Sequence, residues 1–345
     1  MSLFTRQSLL VQTMYSEVKR RAGEQQRLLV GTPGSVGERS VGGNRFLYRQ
    51  YYDPQGKKGA DYLGPVGQVE AEAKAAATRE AITLANALIA EARELARHGY
   101  ARVDSRTGAI VTALANHGLF RAGALLVGSH AYGALLHELG VKAGHYFTED
   151  IDIARAQPLK IALPEGGGFA SMLADSTVTL YPVPGFDRTS PTTSYKAKGA
   201  DRLRVDLLVP IGGDEVKPRA VPELNAHAMG LPFLAYLLED PIDAVILSRE
   251  GVVPVKLPRP EAFAWHKLLV SELRGSTREK RGKDLQQAAV LFAVLAEDAP
   301  DALTRAFREI PRGGKSKVRG AAKSVLELLK GGNHERATEL LATFL

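Results

Sequence analysis

Two aspartates two positions apart, Asp150 and Asp152 in the run Glu149-Asp-Ile-Asp-Ile-Ala154, are the residues of this chain best spaced for chemistry. Successive side chains on a β-strand point to opposite faces. The spacing therefore sets both carboxylates on one side and turns Ile151 and Ile153 toward a core. Two anions side by side repel one another and are relieved by a cation. Mg²⁺, or Mn²⁺ in its place, suits them: Mg²⁺ takes hard oxygen ligands, keeps several waters, and is usually held by one or two carboxylates together with substrate phosphates. A third carboxylate, Asp206, sits in the apolar run Leu203-Arg-Val-Asp-Leu-Leu-Val209 and is a candidate to complete a two-metal arrangement. In such a site one metal lowers the pKa of an attacking hydroxyl and the other clamps a triphosphate; Asp206 would bridge a metal or act as general base. Alternating acids also mark solvated strand faces, so the Asp-x-Asp spacing needs context.

That context is Gly128-Ser129. It follows Ala124-Leu-Leu-Val127, a continuous apolar run that reads as a strand buried on both faces, and precedes a helix expected over residues 131–139. A strand-to-helix turn leaves backbone N–H groups and a helix dipole facing an incoming phosphate, and Ser129 adds a hydroxyl donor. The plainer alternative is an ordinary glycine turn with Ser129 as N-cap of the helix.

Taken together, Gly128-Ser-His-Ala-Tyr-Gly133, Glu149-Asp-Ile-Asp-Ile153 and Arg204-Val-Asp-Leu207 resemble the Gly-Ser … Asp-x-Asp … Asp signature of the DNA polymerase β-like nucleotidyltransferases. The resemblance implies a strand, helix, strand core and Mg²⁺-dependent transfer of a nucleoside monophosphate from a nucleoside triphosphate. A second block, Trp265-His-Lys-Leu-Leu-Val270 with Arg278-Glu-Lys-Arg-Gly-Lys-Asp-Leu-Gln-Gln287, is similar to the helical Lys-Leu and Arg-x-Lys-Asp motifs of abortive-infection (AbiEii-like) toxin nucleotidyltransferases. By that resemblance Lys267 contacts the triphosphate and Asp284 contributes to the active site. An ammonium reaching in from a facing helix would supply the fixed positive charge that phosphoryl-type transition states require. Alternatively, Lys267 snorkels from an amphipathic helix and Asp284 pairs with a neighbouring arginine. The 21 positions from Ser129 to Asp150 exceed the usual compact spacing, so a segment such as residues 141–145 is expected to loop out.

The elements that must position these residues indicate an α/β (α+β) fold: a nucleotidyltransferase core with a small mixed sheet, then a helical domain. Residues 1–104 read as an accessory region. It holds a mostly helical opening over 5–30, a glycine-rich turn over 31–43, a β-hairpin through residues 46–53 and 62–65, and a long helix over Val69–Arg97, rich in Ala, Glu and Leu and free of Gly and Pro. Residues 105–258 form the core, with helices near 110–117 and 169–174 and strands near Val178, Tyr195 and Asp206. Residues 259–345 form the helical domain.

Composition bounds the function. The 345 residues are 45% hydrophobic, enough for a globular fold, and carry no cysteine, which excludes disulfides, thiolate cages and cysteine nucleophiles. No apolar run is long enough to span a membrane, so a cytoplasmic protein without membrane partners is expected. The net charge of +7 is matched by residues 256–330 alone, where 16 Lys and Arg face 9 Asp and Glu. A basic surface serves nucleic acid, nucleotide phosphates or an acidic partner, or is simply a solvated face.

The histidines lack zinc-site spacing, and Gly166-Gly-Gly168 lacks the Lys-Ser/Thr of a P-loop. Tyr48, Tyr51 and Tyr52 with Arg49, Lys57 and Lys58 mix rings and cations as a nucleic-acid platform does, though hairpin packing explains them equally. Gly313-Gly-Lys-Ser-Lys-Val-Arg319 reads as a basic loop opening a helix. The expected function is nucleotidyl transfer from an NTP to RNA such as tRNA, to a protein or to a small molecule, within a toxin system countered by an antitoxin protein or a phage-defence system. The competing reading, an idle fold that binds nucleic acid or a partner, is disfavoured because Asp150, Asp152 and Asp206 are all kept despite their mutual repulsion.

Overall fold

A computed structural model describes residues 2–144, 149–161, 166–185, 190–199, 201–213, 215–273 and 278–345. The chain opens with β1 (Phe4–Arg6) and α1 (Leu9–Gly23), then a three-stranded antiparallel sheet of β2 (Ser35–Val41), β3 (Asn44–Tyr52) and β4 (Lys58–Pro65). The expected glycine-rich turn over 31–43 is therefore largely strand. Gly42 and Gly43, both at positive φ, make the tight turn that pairs Val41 with Asn44. The long helix α2 (Val69–Arg97) has the bounds its composition predicts, and buries Ala71 and Ala75 against Leu47 and Leu63 of the sheet. Arg49 is consumed inside this unit: its guanidinium donates to the carbonyls of Val30, Thr32 and Pro33 and to Asp61 at 2.8 Å, and Tyr51 covers it. In the cation and tyrosine cluster, Arg49 and Tyr51 thus serve hairpin packing.

The central part contains α3 (Ser105–Asn116), β5 (Ala124–Val127), α4 (Gly128–Glu138), β6 (Val141–Ala143), β7 (Asp150–Arg155), α5 (Phe169–Ala174), β8 (Leu180–Pro182), β9 (Ser194–Ala197) and β10 (Arg204–Pro210). It continues through β11 (Lys217–Val221), β12 (Ala226–Leu231), the short α6 (Leu234–Leu237), β13 (Ile242–Leu247) and β14 (Val252–Leu257). Seven of these strands form one mixed sheet in the order β11-β12-β10-β7-β5, with β9 paired to β10 and β8 to β9. β7 and β10 run parallel and β5 antiparallel to β7. Burial alternates as the strand period demands: Ile151, Ile153, Val205 and Leu207 enter the core, while Asp150, Asp152, Arg204 and Asp206 face outward.

The stretch expected to loop out after α4 behaves otherwise in its first part, because Val141–Ala143 is β6, paired antiparallel with β1; residues 145–148 lie outside the described residues. The β13–β14 hairpin, which local sequence patterns did not single out, joins α1 and α2 through Val11, Tyr15, Leu88, Leu95, Val245 and Leu247.

Five helices complete the chain: α7 (Pro260–Leu273), α8 (Arg278–Asp298), α9 (Pro300–Glu309), α10 (Arg312–Gly331) and α11 (Glu335–Ala342). α10 starts at Arg312, so residues 313–319 are its first two turns and not a loop. Gly314 allows that approach, since a Cβ there would press on Leu269 of α7 at 2.9 Å. Trp265 of α7 is fully buried among Phe292, Phe307 and Phe344, and one continuous core runs from the strands through these helices to Leu341. α7 and α8 thereby share one hydrophobic core with the sheet that carries the aspartates.

Candidate active site

The parallel register of β7 and β10 sets Asp152 opposite Asp206 and Asp150 opposite Arg204. Residues paired across a sheet share a face, so the three carboxylates predicted from sequence are brought together. Asp206 is not idle in this arrangement. Its Oδ1 accepts a hydrogen bond from Arg204 Nε at 2.7 Å and another from the Ser194 hydroxyl of β9, and Arg204 Nη2 donates to Ser194 Oγ at 2.7 Å. Two residues apart on one strand, Arg204 and Asp206 point the same way, which is why the pair forms.

α4 begins at Gly128 itself, with Val127 as its N-cap and no side-chain capping bond. Ser129 therefore lies in the first turn, and the N-cap alternative does not hold. Gly128 has φ +67°, and a Cβ at this position would strike Asp152 Oδ2. Only glycine lets β5 turn into α4 while the Asp152 carboxylate lies against the turn. The positive end of the α4 dipole lies at that turn.

Lys267 and Asp284 meet each other. Lys267 Nζ donates to Asp284 Oδ1 at 2.7 Å, with side chains only 8% and 3% exposed, and the Lys267 ammonium also lies over the Phe263 ring. Asp284 thus pairs with this lysine. Lys283, one residue earlier on α8, is half-buried and interacts electrostatically with Asp150, Asp152, Lys267 and Asp284. Burial lowers its pKa, the nearby Lys267 charge lowers it further, and the three carboxylates work against both effects. Sequence reasoning passed over Lys283. The signal available was its place beside Asp284 in Arg-Gly-Lys-Asp, with the neighbour's side chain directed to a different part of the helix surface.

Among the described residues no three acidic or histidine side chains converge closely enough to form a metal cage. Asp150 and Asp152 nonetheless fit Mg²⁺ in the manner that uses one or two carboxylates plus substrate phosphates, being half-buried, on one face, and next to the side-chain-free Gly128. Asp206 would join them by exchanging its contact with Arg204, whose side chain is 43% exposed. On the other side of Asp150 lies a cavity of about 1040 Å³, walled by the α4 face of His130, Gly133, Ala134 and His137. Those four recur at helical spacing, and the two small residues keep the space open.

No curated protein matches the chain. The sequence profile of a nucleotidyltransferase family matches residues 105–311, a span that starts at α3, contains the Gly128 turn and all three strand aspartates, and includes Lys267, Lys283 and Asp284. Well over half of the chain lies in that span, and the protein belongs to this nucleotidyltransferase family.

Proposed function

We propose that the protein transfers a nucleoside monophosphate from a nucleoside triphosphate to an acceptor hydroxyl at the outward face of β7 and β10. The observation that carries this reading is the register that sets Asp152 beside Asp206, with Gly128 cleared for the Asp152 carboxylate. Asp150 and Asp152 would hold Mg²⁺ or Mn²⁺, which when bound supplies charge neutralisation on the triphosphate and acidifies the attacking hydroxyl. Lys283 binds the triphosphate, and the buried Lys267–Asp284 pair positions it. Ser129 and the uncapped N–H groups of α4 donate to phosphate oxygens.

In the transfer the acceptor oxygen bonds to the α-phosphorus, the bond from that phosphorus to the bridging oxygen of the β-phosphate breaks, and pyrophosphate leaves. The hydroxyl proton passes to Asp206, already held in place by Arg204 and Ser194. Incubation with each α-labelled NTP, Mg²⁺ and total RNA or cell extract identifies the labelled acceptor. Asp150→Asn and Asp152→Asn should abolish labelling, and full labelling by either variant would overturn the metal role. A toxin role with an antitoxin partner rests on the α7 and α8 motif. Expression in a bacterial host should arrest growth, and Asp150→Asn should relieve the arrest.

A further inference from the structure

The cavity beside Asp150 carries both signs of charge, with Asp104, Glu149 and Asp150 on its lining and arginines in excess of them. Four arginines from three parts of the chain line it: Arg102 and Arg106 ahead of and within α3, Arg202 before β10, and Arg249 after β13. Arg106 is paired with Asp201, but Arg102, Arg202 and Arg249 have no carboxylate partner among the described residues. The acids nearest to them in sequence are engaged elsewhere: Asp104 caps α3 through the N–H groups of Arg106 and Thr107, Asp201 pairs with Arg106, and Glu250 accepts from the Ser105 hydroxyl.

The wall carrying Arg102 is fixed on both sides. Ala101 N–H donates to Nε2 of buried His137 at 2.9 Å, and Val103 N–H donates to the Leu247 carbonyl at 2.8 Å. Guanidiniums gathered around one cavity, Arg102 on this anchored segment and Arg202 and Arg249 at exposed positions, repel one another, and a bound polyanion offsets that repulsion. Asp150 lines this cavity, whereas Ser129, Asp152, Asp206, Lys267 and Lys283 do not. Asp150 therefore stands between two cationic sets, with the triphosphate side at Lys283 and a second anion side at the arginines.

We infer that this cavity is the acceptor site and that the acceptor is a phosphate-bearing ribonucleotide, free or at the end of an RNA strand, whose body lies in the cavity and whose hydroxyl reaches past Asp150 toward Asp206. The planar guanidinium forks match phosphate oxygens in bidentate geometry, and a space near the upper end of ordinary ligand pockets admits a nucleotide unit. The assignment of acceptor to this side rests on the transfer reading above; the binding of a phosphate-bearing ribonucleotide here does not.

The test is binding, measured apart from transfer. A fluorescein-labelled oligoribonucleotide of twelve residues is titrated onto the full-length protein and onto Arg102→Ala/Arg202→Ala/Arg249→Ala, with Trp265 fluorescence as the check of folding. The triple variant should weaken binding more than about tenfold. It should also flatten the slope of log affinity against log salt by about 0.7 for each phosphate that the protein no longer neutralises. Thermal stabilisation by NTP with Mg²⁺ should stay unchanged. Should the triple variant fail to fold, Arg202→Glu and Arg249→Glu, both at exposed positions, carry the same expectation singly. Displacement of the probe by AMP assigns a free nucleotide, and displacement by unlabelled oligoribonucleotide alone assigns a strand end; both support the site. Unchanged probe affinity, a parallel loss of NTP binding, or no binding of either AMP or the oligoribonucleotide to the parent protein would overturn it. Probe binding that depends on the arginines while Asp150→Asn still transfers label would retain the site and refute the transfer reading instead.

Discussion

Lys267→Met tests whether the resting site is held by the buried ion pair. The lysine and Asp284 are 8% and 3% exposed, 2.7 Å apart, and packed between α7 and α8. Removing one member strands the other charge in the core, which costs about 3–5 kcal/mol, whereas replacing both with apolar residues is often neutral or stabilising. At roughly 2–4 °C per kcal/mol, the single variant should lose on the order of 6–20 °C in Tm. Lys267→Met/Asp284→Leu should recover most of that loss.

Denaturant unfolding followed by fluorescence reads this directly. Trp265, the sole tryptophan, is two residues from Lys267 and edge-on to Phe292 of α8 at 4.6 Å, so its emission reports the α7–α8 contact. A lysine that instead reached into solvent for the triphosphate would cost little stability when removed. A destabilisation below about 1 kcal/mol for Lys267→Met, or a double variant whose destabilisation is the sum of the two single ones, would refute the pairing and its positioning role.

Lys283→Ala should raise the KM for NTP or lower kcat with little loss of stability, because it removes a cation whose charged form burial already disfavours. The sign of its titration follows from that. Its ammonium is less stable in the folded protein than in the unfolded chain, so below the folded pKa it costs stability, and the cost fades as pH rises toward the ordinary lysine value. The alkaline limb of kcat/KM for NTP should then fall below the ordinary lysine range, move upward in Lys283→Arg, and lie higher in the kcat profile. A limb unmoved by Lys283→Arg would assign the titration elsewhere. Gly128→Ala should cost about 1–2 kcal/mol for its left-handed backbone and should abolish labelling by displacing Asp152; a normal transfer rate would refute the close approach. Chelation should stop transfer, with Mg²⁺ or Mn²⁺ restoring it, and NTP with Mg²⁺ at 100 Kd should stabilise the protein by about 2.7 kcal/mol. Stabilisation by NTP that is indifferent to the metal would remove the cation from the binding step.

Local periodicity determined a good part of this protein. The two-residue repeat of Asp150-Ile-Asp-Ile153 placed acids and core residues on opposite faces, the unbroken helix formers of Val69–Arg97 set α2, and the apolar run 124–127 ending in Gly128-Ser129 located the strand-to-helix turn. These rules act over a few residues, where backbone geometry alone decides which way a side chain points. Tertiary structure decided the rest. The glycine-rich stretch became β2 because β3 was there to pair with it, and Val141–Ala143 became β6 because β1 lies beside it. The partner of Lys267, the presence of Lys283 near Asp150 and Asp152, the hold of Arg204 on Asp206, and a cavity drawing arginines from the start of α3, the segment before β10 and the turn after β13 all depend on which distant segments meet. Charge pairing and desolvation depend on distance in space, and the chain sets those distances only when its core closes.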